Sequence, residues 1–153
     1  MEPLRDLSAG APAPSLDAYI AEAFAPGYFP ATLGVGLVAC GDGRARLRLP
    51  FRPAHRQNAG VLQGGVTATL IDMAMAWAVT SAVHPRGTAT VNLDVNYVRP
   101  VVDADLECEA VVVRAGRTVA TVRAEVMTDD GSVVATGSGN FLLRPPQPAG
   151  VRP

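Results

Sequence analysis

Gln63-Gly64-Gly65-Val66-Thr67-Ala68-Thr69-Leu70-Ile71-Asp72-Met73-Ala74-Met75-Ala76-Trp77 opens a run that stays apolar as far as Val83. No proline interrupts it, which predicts one long helix from about Gly64 to Val83. A membrane-spanning helix needs roughly 18 or more apolar residues, and Val66–Val83 comes near that length. Asp72, three threonines and a serine inside it predict a buried core helix instead. At about 100° per residue, Val66, Leu70, Met73 and Trp77 form one stripe, assigned to a sheet. Asp72 lies on another side with Gly65, Ala68, Ala76 and Val79. Most of these are small, which suits close contact with another backbone.

Around the helix the pattern is that of strands. Leu33–Ala39 and Arg44–Leu49 flank Gly41-Asp42-Gly43, and "DG" between apolar runs is a hairpin signal. Arg44, Arg46 and Arg48 alternate with Ala45, Leu47 and Leu49, as a half-buried strand requires. Thr88–Val98 also alternates, with Val91, Leu93, Val95 and Tyr97 on one side and Thr90, Asn92, Asp94 and Asn96 on the other. Leu106–Arg114, Thr118–Thr128 and Ser132–Leu143 follow, separated by Ala115-Gly116-Arg117 and Asp129-Asp130-Gly131. Ser15–Phe24 reads as a short helix with Ser15 as its N-cap. Phe51–Leu62 reads as a loop. The expected layout is α+β: an antiparallel sheet curved around one long helix. One domain over 15–144 sits between loose segments at 1–14 and 145–153.

Bulk properties narrow the function. The chain has 153 residues, 48% of them apolar, and a formal net charge of −1. All 13 basic residues are arginines, and they are scattered. That argues against nucleic acid or an anionic membrane as the main partner. The opening MEPLRDLSAG has no apolar signal core, so the expected location is the cytoplasm. Cys40 and Cys108 sit within apparent strands and read as small core residues. No His/Cys/carboxylate spacing suggests a metal, and no nucleotide fingerprint occurs.

Asp72 is the residue that asks for a function. An ionised carboxylate in the middle of an apolar helix is costly unless it is paired or used. Gly64 and Gly65 stand where the helix begins. Free N–H groups and the positive helix end there suit a developing oxyanion. The two features are eight residues apart, about 12 Å along the axis. A carbonyl oxygen and its carbon are only about 1.2 Å apart. One helix cannot hold the oxygen with its N-terminus and serve the carbon with Asp72. Two antiparallel helices from two chains can, which predicts a dimer with two composite sites.

His55-Arg56-Gln57-Asn58-Ala59-Gly60-Val61-Leu62-Gln63-Gly64-Gly65, followed by the helix with Asp72, resembles the hot-dog-fold acyl-CoA thioesterases. The resemblance is to the branch that includes the phenylacetic-acid-pathway (PaaI-type) enzymes. Asn96-Tyr97-Val98-Arg99-Pro100, the Arg114–Arg117 turn and Val134-Ala135-Thr136-Gly137 extend it over roughly 30–144. It implies a hot-dog fold, a curved antiparallel sheet wrapped around a central helix. It implies dimers with interfacial sites, as a dimer or a tetramer built from dimers. It also implies hydrolysis of an acyl-CoA thioester with no cofactor beyond the coenzyme A of the substrate.

By that resemblance, the N–H of Gly64 or Gly65 polarises the thioester carbonyl. Asp72 is general base or nucleophile. Asn58 places substrate or water, and Thr90 lies near the water. Gln63 stands where many relatives have histidine and adjoins the substrate. His55, Arg99 and Arg117 are further candidates for substrate contact, the arginines because a guanidinium fork suits the phosphates of coenzyme A. For each arginine a solvated hairpin position is the alternative. A hot-dog protein that binds acyl-CoA without hydrolysing it, and a hot-dog dehydratase, are the competing readings.

Overall fold

The computed structural model describes residues 13–146. The segments expected to be loose lie outside that range except for residues 13–14 and 145–146. Helix α1 (Leu16–Ala23) begins at Ser15, whose hydroxyl accepts from the Ala18 N–H at 3.2 Å. Helix α2 (Phe29–Leu33) was not anticipated, and it takes Leu33 away from the first strand. Its causes are local. Pro30 sits in the first turn, where its missing N–H costs nothing. Gly34 adopts a left-handed φ of 84° that ends the helix.

The sheet has six antiparallel strands: β1 (Gly36–Gly41), β2 (Arg44–Leu49), β3 (Arg86–Tyr97), β4 (Leu106–Ala115), β5 (Val119–Thr128) and β6 (Val133–Pro146). Asp42 and Gly43, with φ of 50° and 74°, form the predicted two-residue loop between β1 and β2. The spatial order is β1-β2-β4-β5-β6-β3, so β2 pairs with β4 while β3 lies at the far edge beside β6. Strand β6 runs past the expected end at Leu143, with Pro146 opposite Arg86.

The long helix α3 (Gly64–Val83) fills the curve of this sheet and packs on all six strands. This is the hot-dog arrangement. By length and composition α3 could cross a membrane, but here it supplies the core. The sheet covers more of it than the expected stripe allowed. Leu70, Ile71, Ala74, Met75, Ala78 and Val79 are fully buried, whereas Val66 and Met73 are only partly so. Val79, expected beside Asp72, therefore belongs to the core. An apolar helix wrapped by a sheet carries little amphipathic direction in its sequence. What remains uncovered is a strip with Gly65 exposed and Ala68, Thr69, Asp72, Met73 and Ala76 partly buried.

Strand β3 departs from strict alternation. The register with β6 slips between Thr90 (opposite Phe141) and Asn92 (opposite Asn140), leaving Val91 as a bulge. One extra residue reverses the phase of the pleat. Thr90 thus shares the helix-facing side with Leu93 and Val95, contrary to the expected pattern, and Val91 is 65% exposed.

Cys40 and Cys108 are free thiols, and burial pushes Cys108 up to about 12.

Two glycines in β6 admit α3 to its seat. A Cβ on Gly137 would stand 2.5 Å from Ile71 Cγ2, and one on Gly139 would stand 2.7 Å from the Asn92 carbonyl oxygen. Ile71 is fully buried. Gly137→Val is expected to destabilise the fold by about 2–3 kcal/mol or more through overpacking. Urea unfolding measures it, and an unchanged midpoint would mean that α3 is not seated on β6 as described.

Candidate active site

The loop before α3 is tied down at both ends. The Phe51 N–H donates to Asp105 Oδ1 at 2.7 Å, and Arg48 donates to Asp105 Oδ2 at 2.9 Å. The Phe51 N–H, then Arg48, hold the Asp105 carboxyl below its ordinary range. At the other end, the Leu62 N–H donates to the Val101 carbonyl (2.7 Å) and the Gln63 N–H to the His55 carbonyl (2.8 Å). Within the loop Gln57 organises the turn: its Oε1 accepts from the Ala59 N–H at 2.9 Å and its backbone bonds to Gly60 and Val61.

These ties place the sequence-derived candidates. His55 ends a 3-10 turn (Pro53–His55) and is buried, 6% exposed, with its Nδ1 unpartnered among the described residues. Its visible contribution is the backbone bond that fixes Gln63. Asn58 lies exposed in the Gln57–Gly60 turn. Gln63 is the exposed N-cap residue of α3, and its side chain makes no capping bond. Gly64 and Gly65 follow. As the first helical residues, they have N–H groups with no preceding turn to accept them. Arg99 lies just beyond β3, where it borders a cleft of about 380 Å³ with Gly64, Thr67 and Tyr97. Arg117 is in the β4–β5 turn and accepts at its carbonyl from Arg86 at 2.6 Å. The structure gives it no contact with the other candidates.

Asp72 and Thr90 do come together. Thr90 Oγ1 donates to Asp72 Oδ1 at 2.9 Å. The β3 bulge makes this possible, because it turns Thr90 toward the helix. The bond leaves Oδ2 of Asp72 for another donor. Tyr97, read from the sequence as a strand residue and part of the Asn96–Pro100 resemblance but not as a site candidate, also lies here. Its hydroxyl donates to the Gly64 carbonyl at 2.8 Å. A tyrosine at the end of a strand gives no sign in sequence of which helix end it will reach. A larger hollow of about 800 Å³ lies elsewhere, over the Arg46–Glu109 pair on β2 and β4, and none of the candidates lines it.

A six-stranded antiparallel sheet wrapped around one long helix defines a hot-dog protein. The sequence profile of the thioesterase superfamily matches residues 59–135, half of the chain. The chain belongs to the thioesterase superfamily, in its PaaI-like hot-dog branch. A Halobacterium salinarum protein classed, on assignment alone, as an esterase is 38% identical over 72% of this chain and 81% of its own length. Among solved structures, a conserved Pseudomonas aeruginosa protein is 36% identical with a TM-score of 0.72, over 75% of this chain and 92% of that one. A variant of the phenylacetic acid degradation protein PaaI from Thermus thermophilus is 30% identical with a TM-score of 0.69, over 76% and 98%.

Gly65 meets nothing closer than Gln63 Cγ at 3.9 Å from a notional Cβ. The fold therefore does not require glycine there. Gly65→Ala is expected to keep or raise stability, by up to about 1 kcal/mol from helix propensity. A loss of stability on thermal unfolding would show a structural need for this glycine.

Proposed function

We propose that the protein hydrolyses an acyl-CoA thioester at a site shared between two subunits. The observation that carries the reading is the Thr90–Asp72 bond, which orients a carboxylate on the uncovered strip of a helix whose first amides are free. In this scheme the thioester carbonyl oxygen lies against the Gly64 and Gly65 N–H groups of one chain. Preorganised donors of this kind lower such barriers by about 3 kcal/mol each. Asp72 of the other chain takes a proton from water as the water oxygen bonds to the carbonyl carbon. The tetrahedral oxyanion then collapses, the C–S bond breaks with its electron pair on sulfur, and the coenzyme A thiolate takes the proton from Asp72, directly or through water, as it leaves. Attack by Asp72 itself, through an anhydride that water opens, uses the same groups. Thr90 holds one carboxylate oxygen so that the other faces the reacting centre.

The two-chain requirement rests on the 12 Å separation of about eight helical residues. The uncovered strip of α3 and the edge position of β3 supply surfaces for a second copy. Coenzyme A phosphates fall to Arg99 at the cleft mouth and to Arg117. Asn58 and Gln63 border the substrate from the loop and the helix cap. No cofactor beyond the substrate's own coenzyme A enters the scheme.

Free-thiol release from an acyl-CoA panel tests the reaction. Asp72→Asn is expected to lower kcat by a hundredfold or more, and Thr90→Val by about tenfold with Thr90→Ser close to wild type. An Asp72→Asn enzyme at near-wild-type rate would sink the mechanism. Binding of acyl-CoA without thiol release would favour a non-hydrolytic binder.

Complementation tests the shared site. Asp72→Asn and Gly65→Val chains are each expected to be inactive alone. Unfolded and refolded together in equal amounts, they should recover about a quarter of wild-type activity, because half the dimers are mixed and each holds one intact site. No recovery, with mixed dimers demonstrated by mass spectrometry, would place the whole site in one chain.

A further inference from the structure

We infer that Tyr97 is a positioning residue for the oxyanion donor, acting through the Gly64–Gly65 peptide group. The Tyr97 hydroxyl donates to the Gly64 carbonyl oxygen at 2.8 Å. That carbonyl and the Gly65 N–H are two ends of one planar, resonance-coupled unit. A donor on the oxygen draws electron density toward it and leaves the N–H more positive. Hydrogen bonds in series strengthen one another in this way by about 10–30% each. The bond therefore sharpens the group that, in the reading above, meets the developing oxyanion.

The geometry also explains why position 64 is glycine. A Cβ there would stand 3.3 Å from Tyr97 Cζ and Oη and 3.4 Å from Cε1. Glycine lets the ring lie against the helix start, and the hydroxyl then reaches the carbonyl. The Tyr97 backbone ends β3 and pairs opposite Ala135 of β6. Through it, the first turn of α3 is tied to the sheet edge. The Gln63–His55 and Leu62–Val101 backbone bonds also hold this helix start. The Gly64 carbonyl has a second lone pair beside the one that serves the helix ladder, and Tyr97 donates to it.

This inference rests on the thioesterase reading and on Gly65 as a donor. The test compares wild type with Tyr97→Phe, which keeps the ring and removes the hydroxyl. Steady-state thiol release on the best acyl-CoA is expected to show kcat lowered about fivefold to tenfold with KM within twofold. The Gly65 amide proton in the same full-length proteins, followed by NMR, is expected to move upfield in Tyr97→Phe, the direction of a weaker donor. An unmoved Gly65 amide, an unchanged kcat, or a loss shared between kcat and KM would each overturn the assignment. A wild-type protein that releases no thiol from any acyl-CoA would instead overturn the thioesterase reading beneath it.

Discussion

The close seat of α3 inside the sheet governs the rest of this molecule. A helix can lie that near a strand only where the strand offers no side chain, and Gly137 and Gly139 provide the space. Ile71 and Met75 occupy it, and the core on either side follows from their position. Between its two ends the helix is then so enclosed that a strip from Gly65 through Ala68 and Asp72 to Ala76 is what the sheet leaves uncovered. The carboxylate of Asp72 stands on that strip, clear of the fully buried face. Packing and the proposed chemistry thus divide one helix between them by angle.

Both ends of the proposed site are tied to the same strand. Thr90 of β3 holds Asp72, and Tyr97 of β3 holds the Gly64 carbonyl. Strand β3 is an edge strand, joined to β6 on one side only. Under the shared-site proposal, a second copy meeting this edge would meet the strand that sets the carboxylate and the helix start together.

Much of this was legible in the sequence, and the exceptions have physical causes. The long helix, the Asp42-Gly43 hairpin and the Ser15 cap follow from local rules, because each depends on neighbours within a few residues. The expectation that Asp72 and the glycine turn serve one site across two chains rests on helical spacing and belongs to the proposal. The α2 helix was missed because five residues leave no periodicity to detect, although Pro30 and Gly34 mark its ends. The buried face of α3 was misassigned because Val66 and Met73 are as apolar as the residues that are buried. Thr90 was placed on the wrong side of β3, since nothing in Thr90-Val91-Asn92 announces a bulge. Tyr97 was missed because its partner is a backbone carbonyl 33 residues away in the chain.

The bulge at Val91 also decides what β3 can lose. Val91 is the extra residue, so its deletion alone would leave Thr90 opposite Phe141 and Asn92 opposite Asn140, a regular strand with the hydroxyl still facing the helix. Slippage of the strand start by one residue, with Val91 taking the place opposite Phe141, would do the reverse. It would turn Thr90 outward and take the hydroxyl from the carboxylate, while Leu93 and Val95 kept their places in the core. The length of β3 before the bulge is therefore free to vary, and its register is not.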